Sequence, residues 1–194
     1  MYGPRKTLYN RFVRWVAKGC GRRFSTRWRP RAARRRCFWR YAPIAVLPTV
    51  KGGGRAQTIS RSRGGRTTKI HALSDADCRP VTFLLTPGNM ADCTAAEALI
   101  EQMTATGLLH ADKSYDSDRL RRQIETCGVA PNIPPKRNRR WKSSFSPFLY
   151  RDRNAIERMF SRLMNFRRIA TRYEKLAQNF LTALQLTATV CYWL

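Results

Sequence analysis

Acidic residues are missing from the first third of this chain, and that absence most constrains what the chain can fold into. Residues 1–70 contain 20 Lys and Arg residues and no acid, and the first acid is Asp75. The remaining 18 cations share the rest of the chain with all 12 Asp and Glu residues. Because folded surfaces normally mix both signs of charge, the sequence predicts a basic, poorly structured segment over residues 20–63 and a folded domain over residues 64–194.

The overall charge and the cysteine pattern restrict the class of partner. A formal net charge of +26 favours a polyanion, most often nucleic acid and less often an anionic membrane surface. No apolar run reaches the length of a membrane span, and the N-terminus lacks the pattern of a secretory signal. The six cysteines form no Cys-x-x-Cys pair and are accompanied by only two histidines, so reduced thiols in a cytoplasm are expected and a structural zinc site is not.

The basic first part contains one regular pattern. Residues 7–17 space their apolar side chains as a short amphipathic helix does. The apolar run at residues 44–47 is flanked by Pro43 and Pro48, which disfavours a central strand. Residues 51–66 are typical of a flexible basic linker.

The second part has the pattern of an α/β domain. Residues 67–73, 81–85 and 108–111 are strand candidates, and residues 129–135 form a proline-containing candidate for an edge strand. Thr94 and Glu97 have the spacing of a helix capping box, and a final apolar helix is predicted over residues 175–194.

Two helix boundaries are predicted between the strand candidates. Gly107 is placed to end the helix that follows the capping box. Asp116 or Ser117 can cap the next helix, which is expected to end before Gly128. Capping is also the expected role of Asp118. By contrast, Asp112 directly follows an apolar strand, the place where open α/β sheets present functional groups.

A helix beginning near residue 150 carries a second carboxylate of interest. Tyr150, Arg153, Glu157, Ser161 and Met164 are spaced by three or four residues, so they share one face of the helix, away from its apolar face. A single helical Glu is more often a solvated surface residue than a functional one, and only its context can reverse that preference.

That context is a set of ordered motifs: SRSRGGRTTKIHAL (60–73), FLLTPGNMAD (83–92), ADKSYDSD (111–118), IPPKRNRR (133–140) and YRDRNAIERMFSRLMNFRRIATRYEK (150–175). In sequence and order, they resemble the DDE transposases of bacterial insertion sequences, specifically the insertion-sequence-five family. A weaker match, YGPRKTLYNRFVRWVAKG (2–19), resembles a remnant of the helical N-terminal DNA-binding region of that family.

The resemblance implies a ribonuclease-H-like fold, with a mixed sheet flanked by helices and three carboxylates that hold two Mg²⁺ or Mn²⁺ ions. Hard oxygen ligands suit these ions, and two ions can activate the attacking oxygen and stabilise the leaving oxygen in phosphoryl transfer. By this match, Asp112 is the second carboxylate and Glu157 the third, and Tyr150 and Arg153 order the site or place DNA phosphates.

The resemblance also implies double-stranded DNA as partner, at transposon ends and at the target, in a bacterial cytoplasm and associated with the nucleoid. A homodimer or an association with full-length transposase is expected. The residues expected to contact the DNA backbone without reading sequence are Lys136, Arg137, Arg139, Arg140, Lys142, Arg167 and Arg168.

The chain departs from the family pattern at three points. No Asp or Glu precedes Asp75, so the first carboxylate is missing, and Met164 stands where the family signature has Lys. The family pattern is also lost between about residues 20 and 50. These departures suggest a frameshifted gene, begun at an internal Met, whose product is a transposase without cutting activity. The alternatives are a non-catalytic DNA-binding remnant and a basic RNA-binding protein, and the latter explains none of the motifs.

Overall fold

A computed structural model describes much of the chain outside the basic segment. It covers residues 5–19, 36–46, 57–62, 65–75, 77, 79–101, 103 and 107–193. Its helices are α1 (Arg5–Ala17), α2 (Asp92–Ile100), α3 (Asp118–Thr126), α4 (Pro147–Tyr150), α5 (Asn154–Met164), α6 (Arg167–Ala170) and α7 (Ala177–Trp193). Its strands are β1 (Arg36–Val46), β2 (Ser60–Ser62), β3 (Gly65–Asp75), β4 (Pro80–Pro87), β5 (Leu108–Ala111), β6 (Ala130–Asn132) and β7 (Thr171–Arg172).

The described strands form one mixed sheet. β1 lies in its centre, antiparallel to β3 on one edge and parallel to β5 on the other. β4 and β2 both pair antiparallel with β3, and β6 pairs parallel with β5 at the outer edge. β7 extends the β5 side of the sheet by pairing with the last residues of β1. The expected α/β class and the edge position of the proline-containing strand are confirmed.

The central position of β1 corrects one prediction within residues 20–63, that for the apolar run at residues 44–47. The prolines were expected to disfavour a central strand, but β1 pairs with β3 from Cys37 to Ala45. Its pairing with β5 ends at Trp39, and its pairing with β7 begins at Ala45. Pro43 therefore lies where β1, among the described strands, has a neighbour on one edge only, which is how a strand tolerates proline. The predictions for residues 20–35 and 47–56 lie outside the described residues.

Part of the predicted linker is also held in place, because Arg172 binds to Gln57 within it. The Arg172 side chain is fully buried, and its Nη2 donates hydrogen bonds to the Gln57 O, at 2.7 Å, and to the Lys175 O, at 3.0 Å. Its Nη1 donates to Thr68 Oγ1, at 2.6 Å, and its Nε to Glu174 O, at 2.8 Å. Burial lowers the pKa of Arg172 to about 10, so the guanidinium stays charged at neutral pH.

Helices cover both faces of the sheet and bury two apolar clusters. Alternate residues of β3 point to opposite faces, so Ile70 and Ala72 join the first cluster and Leu73 joins the second. The first cluster lies under α5, α6 and α7, and the second lies under α2 and α3. The helical members of the first are Ala155, Ile156, Met159, Phe160, Leu163, Ile169, Phe180, Leu184 and Ala188. The helical members of the second are Ala96, Leu99, Leu120 and Ile124.

Three helix boundaries test the predicted caps. The predicted helix over residues 7–17 is confirmed as α1, which contacts α7 through a hydrogen bond from Gln178 Nε2 to Val16 O, at 3.3 Å. The predicted capping box is wrong: α2 begins at Asp92, so Thr94 lies inside it, and α2 ends at Ile100, well before Gly107.

Among the described helices, none combines the length and the hydropathy that a membrane span requires.

Gly128 ends α3 as predicted, and its backbone explains why. It has a φ of +74°, which favours glycine. Its N–H donates to Glu125 O, at 2.9 Å, and the next N–H donates to Ile124 O, at 3.3 Å. These bonds satisfy carbonyls that the end of the helix leaves without partners, so the chain turns directly from α3 into β6.

Candidate active site

Asp112 and Glu157 are brought together by a single arginine. Asp112 directly follows β5, and Glu157 lies one turn into α5. Arg153 Nη1 donates to Asp112 Oδ1, at 2.7 Å, and Arg153 Nη2 lies 2.6 Å from Glu157 Oε1. The guanidinium thus joins two carboxylates that lie 45 residues apart in sequence and that only the fold brings together. All three side chains are partly buried, so this is not the solvated surface glutamate that a single helical Glu would suggest.

Tyr150 completes this group of side chains. Its hydroxyl donates to Asp112 Oδ1, at 3.2 Å, and its ring lies 5.1 Å from the Arg153 guanidinium carbon. The cation above the ring face is a favourable electrostatic arrangement. The structure therefore brings together the four residues singled out in the sequence, namely Asp112, Tyr150, Arg153 and Glu157.

The other two residues of the predicted helical stripe do not join the group. Ser161 is exposed, and its hydroxyl donates back to Glu157 O, at 3.0 Å. Met164, which stands at the lysine position of the family signature, is partly buried and packs against the first apolar cluster. No cation is therefore supplied from the end of α5 at that position.

A buried contact between His110 and Asn132 connects β5 to the segment that precedes Tyr150. Asn132 binds both backbone groups of Ser146, since its Oδ1 accepts from Ser146 N, at 2.8 Å, and its Nδ2 donates to Ser146 O, at 3.1 Å. These contacts fix the orientation of the amide, so Nδ2 also donates to His110 Nδ1, at 3.1 Å. His110 therefore accepts at Nδ1. His110 lies in β5, and Ser146 is the residue immediately before α4. The pair therefore connects this strand to the start of α4.

β1, the strand to which the family resemblance assigns the first carboxylate, contains no acid. β1 runs beside β5 with Trp39 paired to Ala111, and continuing that register by one residue places Arg40 level with Asp112. The sequence of β1, RCFWRYAPIAV, has Cys37 as its only residue of the usual metal-ligating types. In the described residues, no three His, Cys, Asp or Glu side chains form a group that could hold a metal ion.

Asp116 has a structural role that differs from the predicted helix cap. Its Oδ1 accepts from Arg121 Nε, at 2.9 Å, and its Oδ2 accepts from Arg139 Nε, at 2.6 Å, and from Lys136 N, at 2.8 Å. Burial by itself would raise the pKa of Asp116, but these hydrogen bonds outweigh it and lower the pKa. Ser117 is the residue at the N-cap position of α3, and its side chain makes no capping hydrogen bond.

The predicted DNA-contacting residues fall into two groups. Arg139 is largely engaged inside the protein, because its Nη1 also lies 2.5 Å from Asp118 Oδ1, and hydrogen bonds to Asp118 and Asp116 raise its pKa. Arg168 is exposed and lies 3.3 Å from Glu174. The predicted residues that are also exposed are Arg137, Arg140, Lys142 and Arg167. Arg139 thus braces the loop that presents the exposed cations.

A second buried histidine holds the turn that follows Asp112. His71 Nδ1 lies 2.9 Å from the Tyr115 hydroxyl, and its Nε2 lies 2.8 Å from Thr86 Oγ1. Burial lowers the pKa of His71 to about 4, a value to which Asp92 and Lys69 make smaller, opposing contributions. At neutral pH, His71 is therefore uncharged and links β3, β4 and the 3-10 turn at Lys113–Tyr115.

Few features of the sequence indicated that these polar groups would be buried together. Asp116 and Arg139 lie in two different motifs 23 residues apart, and their presence together was the only available sign that they touch. His71 and Tyr115 lie in motifs 44 residues apart. A motif shared by a family can contain residues that form internal hydrogen bonds as well as residues that contact a ligand. Asp116, Arg139, His71 and Tyr115 form internal hydrogen bonds.

The strand order, with β1 central and parallel to β5, and the carboxylate that follows β5 define a ribonuclease-H-like domain. The Transposase DDE domain family matches residues 25–194, so this chain belongs to that family. The matched region begins upstream of the predicted boundary at residue 64 and includes β1, so the prediction that the family pattern is lost between about residues 20 and 50 is wrong for residues 25–50.

Individual relatives agree with the family. The chain is 35% identical over 129 residues to a transposase assigned to insertion sequence element IS6501 of Brucella ovis, and the match covers 66% of this chain and 98% of the relative. It is 28% identical over 144 residues to a transposase assigned to element IS402 of Burkholderia cepacia, where it covers 69% of this chain and 65% of the relative. These matches support a bacterial insertion-sequence transposase.

A solved structure supports the fold alone. This chain superimposes on a chain of the piggyBac transposase synaptic complex with hairpin DNA with a TM-score of 0.50 and 7% sequence identity. The superposition covers 80% of this chain and 45% of that chain. This chain therefore spans less than half the length of that transposase.

Proposed function

We propose that this chain binds duplex DNA as a member of the insertion-sequence-five family of transposases, and that its centre for cutting and joining DNA strands is incomplete. The observation that carries the proposal is the Arg153 guanidinium, which joins Asp112 and Glu157 at 2.7 and 2.6 Å. These two carboxylates come from distant motifs, and the family resemblance assigns them as two of the three metal-binding carboxylates.

The donor set limits the chemistry that the centre can perform. Asp112 and Glu157 are hard oxygen ligands of the kind that Mg²⁺ and Mn²⁺ prefer, and DDE transposases generally use divalent ions. Neither β1 nor the described residues around the centre supply a third carboxylate. The residues present do not fit a centre for two ions, and we infer that strand cleavage and transfer are reduced by orders of magnitude.

The charged side chains support the DNA-binding part of the proposal. Arg137, Arg140, Lys142 and Arg167 are exposed, and the loop that carries the first three is held at its base by the contacts of Asp116 with Lys136 and Arg139. Exposed cations on a loop that is held at its base suit contacts to phosphates that do not depend on base sequence. Transposon ends and target DNA are the proposed ligands, and association with a second copy or with full-length transposase is the proposed assembly.

A frameshift is the proposed origin of the incomplete centre. The sequence before Asp75 lacks acids, and β1 forms the expected first strand without the expected carboxylate. Translating the same DNA in a shifted frame should then give an Asp-containing strand in place of residues 36–46. If neither alternative frame encodes such a strand, the frameshift origin is wrong, while the proposed DNA binding is unaffected.

A cleavage assay tests the proposed inactivity. The purified chain is incubated with Mg²⁺ or Mn²⁺ and with duplex DNA that contains the ends flanking its own gene. We expect binding in a gel-shift assay, with affinity that falls steeply as salt rises, and no cut strands. Robust cutting that is lost in Asp112→Asn would contradict the proposed inactivity, and failure to bind duplex DNA at moderate salt would contradict the proposed DNA binding.

A further inference from the structure

A basic cleft lies on a different side of α5 from the candidate centre. It has a volume of about 550 Å³ and is lined by Asp77, Arg79, Arg158, Arg162, Cys191 and Tyr192. The arginines come from two elements, since Arg79 lies in the turn between β3 and β4, and the other two lie on α5. We call this group the α5–α7 cleft.

Aromatic rings from the end of α7 hold two of these arginines in position. The Arg79 guanidinium carbon lies 5.2 Å from the centre of the Trp193 ring, and that of Arg162 lies 5.3 Å from the centre of the Tyr192 ring. The Tyr192 hydroxyl donates to Met159 O, at 3.4 Å. A ring restricts where a guanidinium lies without cancelling its charge, so the cleft has an ordered cationic wall.

The charge and spacing of the wall suit a chain of phosphates. Three exposed arginines face the cleft against one carboxylate, that of Asp77. Arg158 and Arg162 are one turn apart on α5, a rise of about 6 Å, and phosphates of one strand advance about 3.4 Å each along the axis of a duplex. Because two such advances come to about 7 Å, side chains about 6 Å apart match phosphates two positions apart on one strand.

The helix geometry places the cleft and the candidate centre on different sides of α5. Residues of an α-helix are rotated by about 100° from one to the next, so Arg158 and Arg162 lie on the opposite margin of the exposed face of α5 from Glu157. Met159 and Leu163, the residues that follow the two arginines, belong to the first apolar cluster, which lies between α5 and the sheet. The arginines of the cleft therefore point away from the side of α5 that carries Glu157.

We propose that the α5–α7 cleft is a separate binding site for the phosphate backbone of duplex DNA. This inference rests on the proposed DNA binding of the chain. It assigns to Arg79, Arg158 and Arg162 a ligand contact that is independent of the loop at residues 136–142, so a duplex can be held on two sides of α5.

Salt-dependent binding of the full chain to a duplex of arbitrary sequence tests this site. In Arg158→Gln/Arg162→Gln, we expect the slope of log affinity against log salt to fall by about 2 and the affinity at 0.1 M salt to fall about 60-fold. The control, Arg119→Gln/Arg122→Gln on α3, removes the same charge from two other exposed arginines and should retain most of the slope. Arg158→Lys/Arg162→Lys keeps the charge and should retain most of the binding.

The outcomes separate this site from the proposed function. Equal losses in the cleft variant and the α3 control would mean a general effect of net charge and would overturn the site. An unchanged slope in a cleft variant that keeps the wild-type circular dichroism spectrum would overturn it too, while DNA binding by the chain would stand. If the wild-type chain binds no duplex at moderate salt, the proposed function fails and the cleft proposal fails with it.

Discussion

β1 and the segment from β5 to β7 show different degrees of sequence requirement. β1 lies within the region that the Transposase DDE domain family matches, but it contains none of the motifs quoted above and no acid, and it occupies the centre of the sheet between β3 and β5. The segment from residue 108 to residue 172 retains its motifs, and their side chains meet in specific contacts such as Arg153 with Asp112 and Glu157. Many different sequences can form the backbone hydrogen bonds of a strand, whereas a carboxylate centre needs particular atoms at particular positions.

The largest expected effect is on the motif-containing segment. Asp116→Asn removes the charge that Arg121 and Arg139 share in a buried position, and we expect the free energy of unfolding to fall by about 3–5 kcal/mol. Urea denaturation followed by circular dichroism measures it. Asp118→Asn, at a residue whose side chain is 73% exposed, is the matched control and should cost less than about 1 kcal/mol. Equal effects would show that this segment does not depend on its buried contacts.

A pH titration examines the contact between β3 and the turn after Asp112. His71 has a folded-state pKa of about 4 and an ordinary value of 6.5, so the unfolded chain binds a proton that the folded chain excludes between these values. Its contribution to stability is complete above pH 6.5 and is lost as pH falls towards 4, by about 3 kcal/mol in total.

The matched measurement for His71 is the same titration on His71→Asn. The variant is expected to be less stable at neutral pH and to lose less stability than the wild type between pH 6.5 and 4, because other groups titrate equally in both proteins. Parallel curves for the two proteins would show that His71 does not carry the pH dependence.

Restoring an acid to β1 tests whether only the carboxylate is missing there. Arg40→Asp places a carboxylate level with Asp112 by the register of β1 and β5, and we expect it to increase the affinity for Mn²⁺. At a Mn²⁺ concentration 100 times the dissociation constant, binding stabilises a protein by about 2.7 kcal/mol, which is visible as a rise in melting temperature. Arg40→Asn is the control without charge. An equal response to Mn²⁺ in both variants would show that β1 departs from the family in more than one residue.

The smallest expected effect concerns Tyr150. Tyr150→Phe removes one hydrogen bond to Asp112 Oδ1, and we expect a loss of about 0.5–1.5 kcal/mol in the free energy of unfolding. Tyr173→Phe is a control at a tyrosine outside the candidate centre and should change stability by less than about 0.5 kcal/mol. A larger loss in the control would mean that the hydroxyl of Tyr150 is not a specific part of the centre.

Much of the fold was predictable from local patterns. The apolar run at residues 108–111, the helix from residue 7 to residue 17 and the glycine stop at Gly128 all appear as predicted. Boundaries set by side-chain caps were less reliable, because the capping spacing of Thr94 and Glu97 occurs inside α2. Spacing alone does not say whether a backbone N–H needs the side chain.

The candidate centre was predictable only through the family motifs. The helical spacing placed Arg153 and Glu157 on one face, but nothing local indicated that Asp112 would lie 2.7 Å from Arg153. The buried role of Asp116 was missed because capping is the usual function of an acid before a helix. Its partners Lys136 and Arg139 follow about 20 residues later, and the chain brings them to Asp116 by way of β6.

The sequence by itself determined the missing acids, since no fold can supply a carboxylate that residues 1–74 do not contain. It also determined the helices and strands whose apolar spacing is strong. Only the tertiary structure decided that residues 36–46 form the central strand. Without β1, the facing edges of β3 and β5 would lack partners, and β1 pairs with them through backbone groups that do not depend on its side chains. The same basic segment therefore completes the sheet and leaves the centre incomplete.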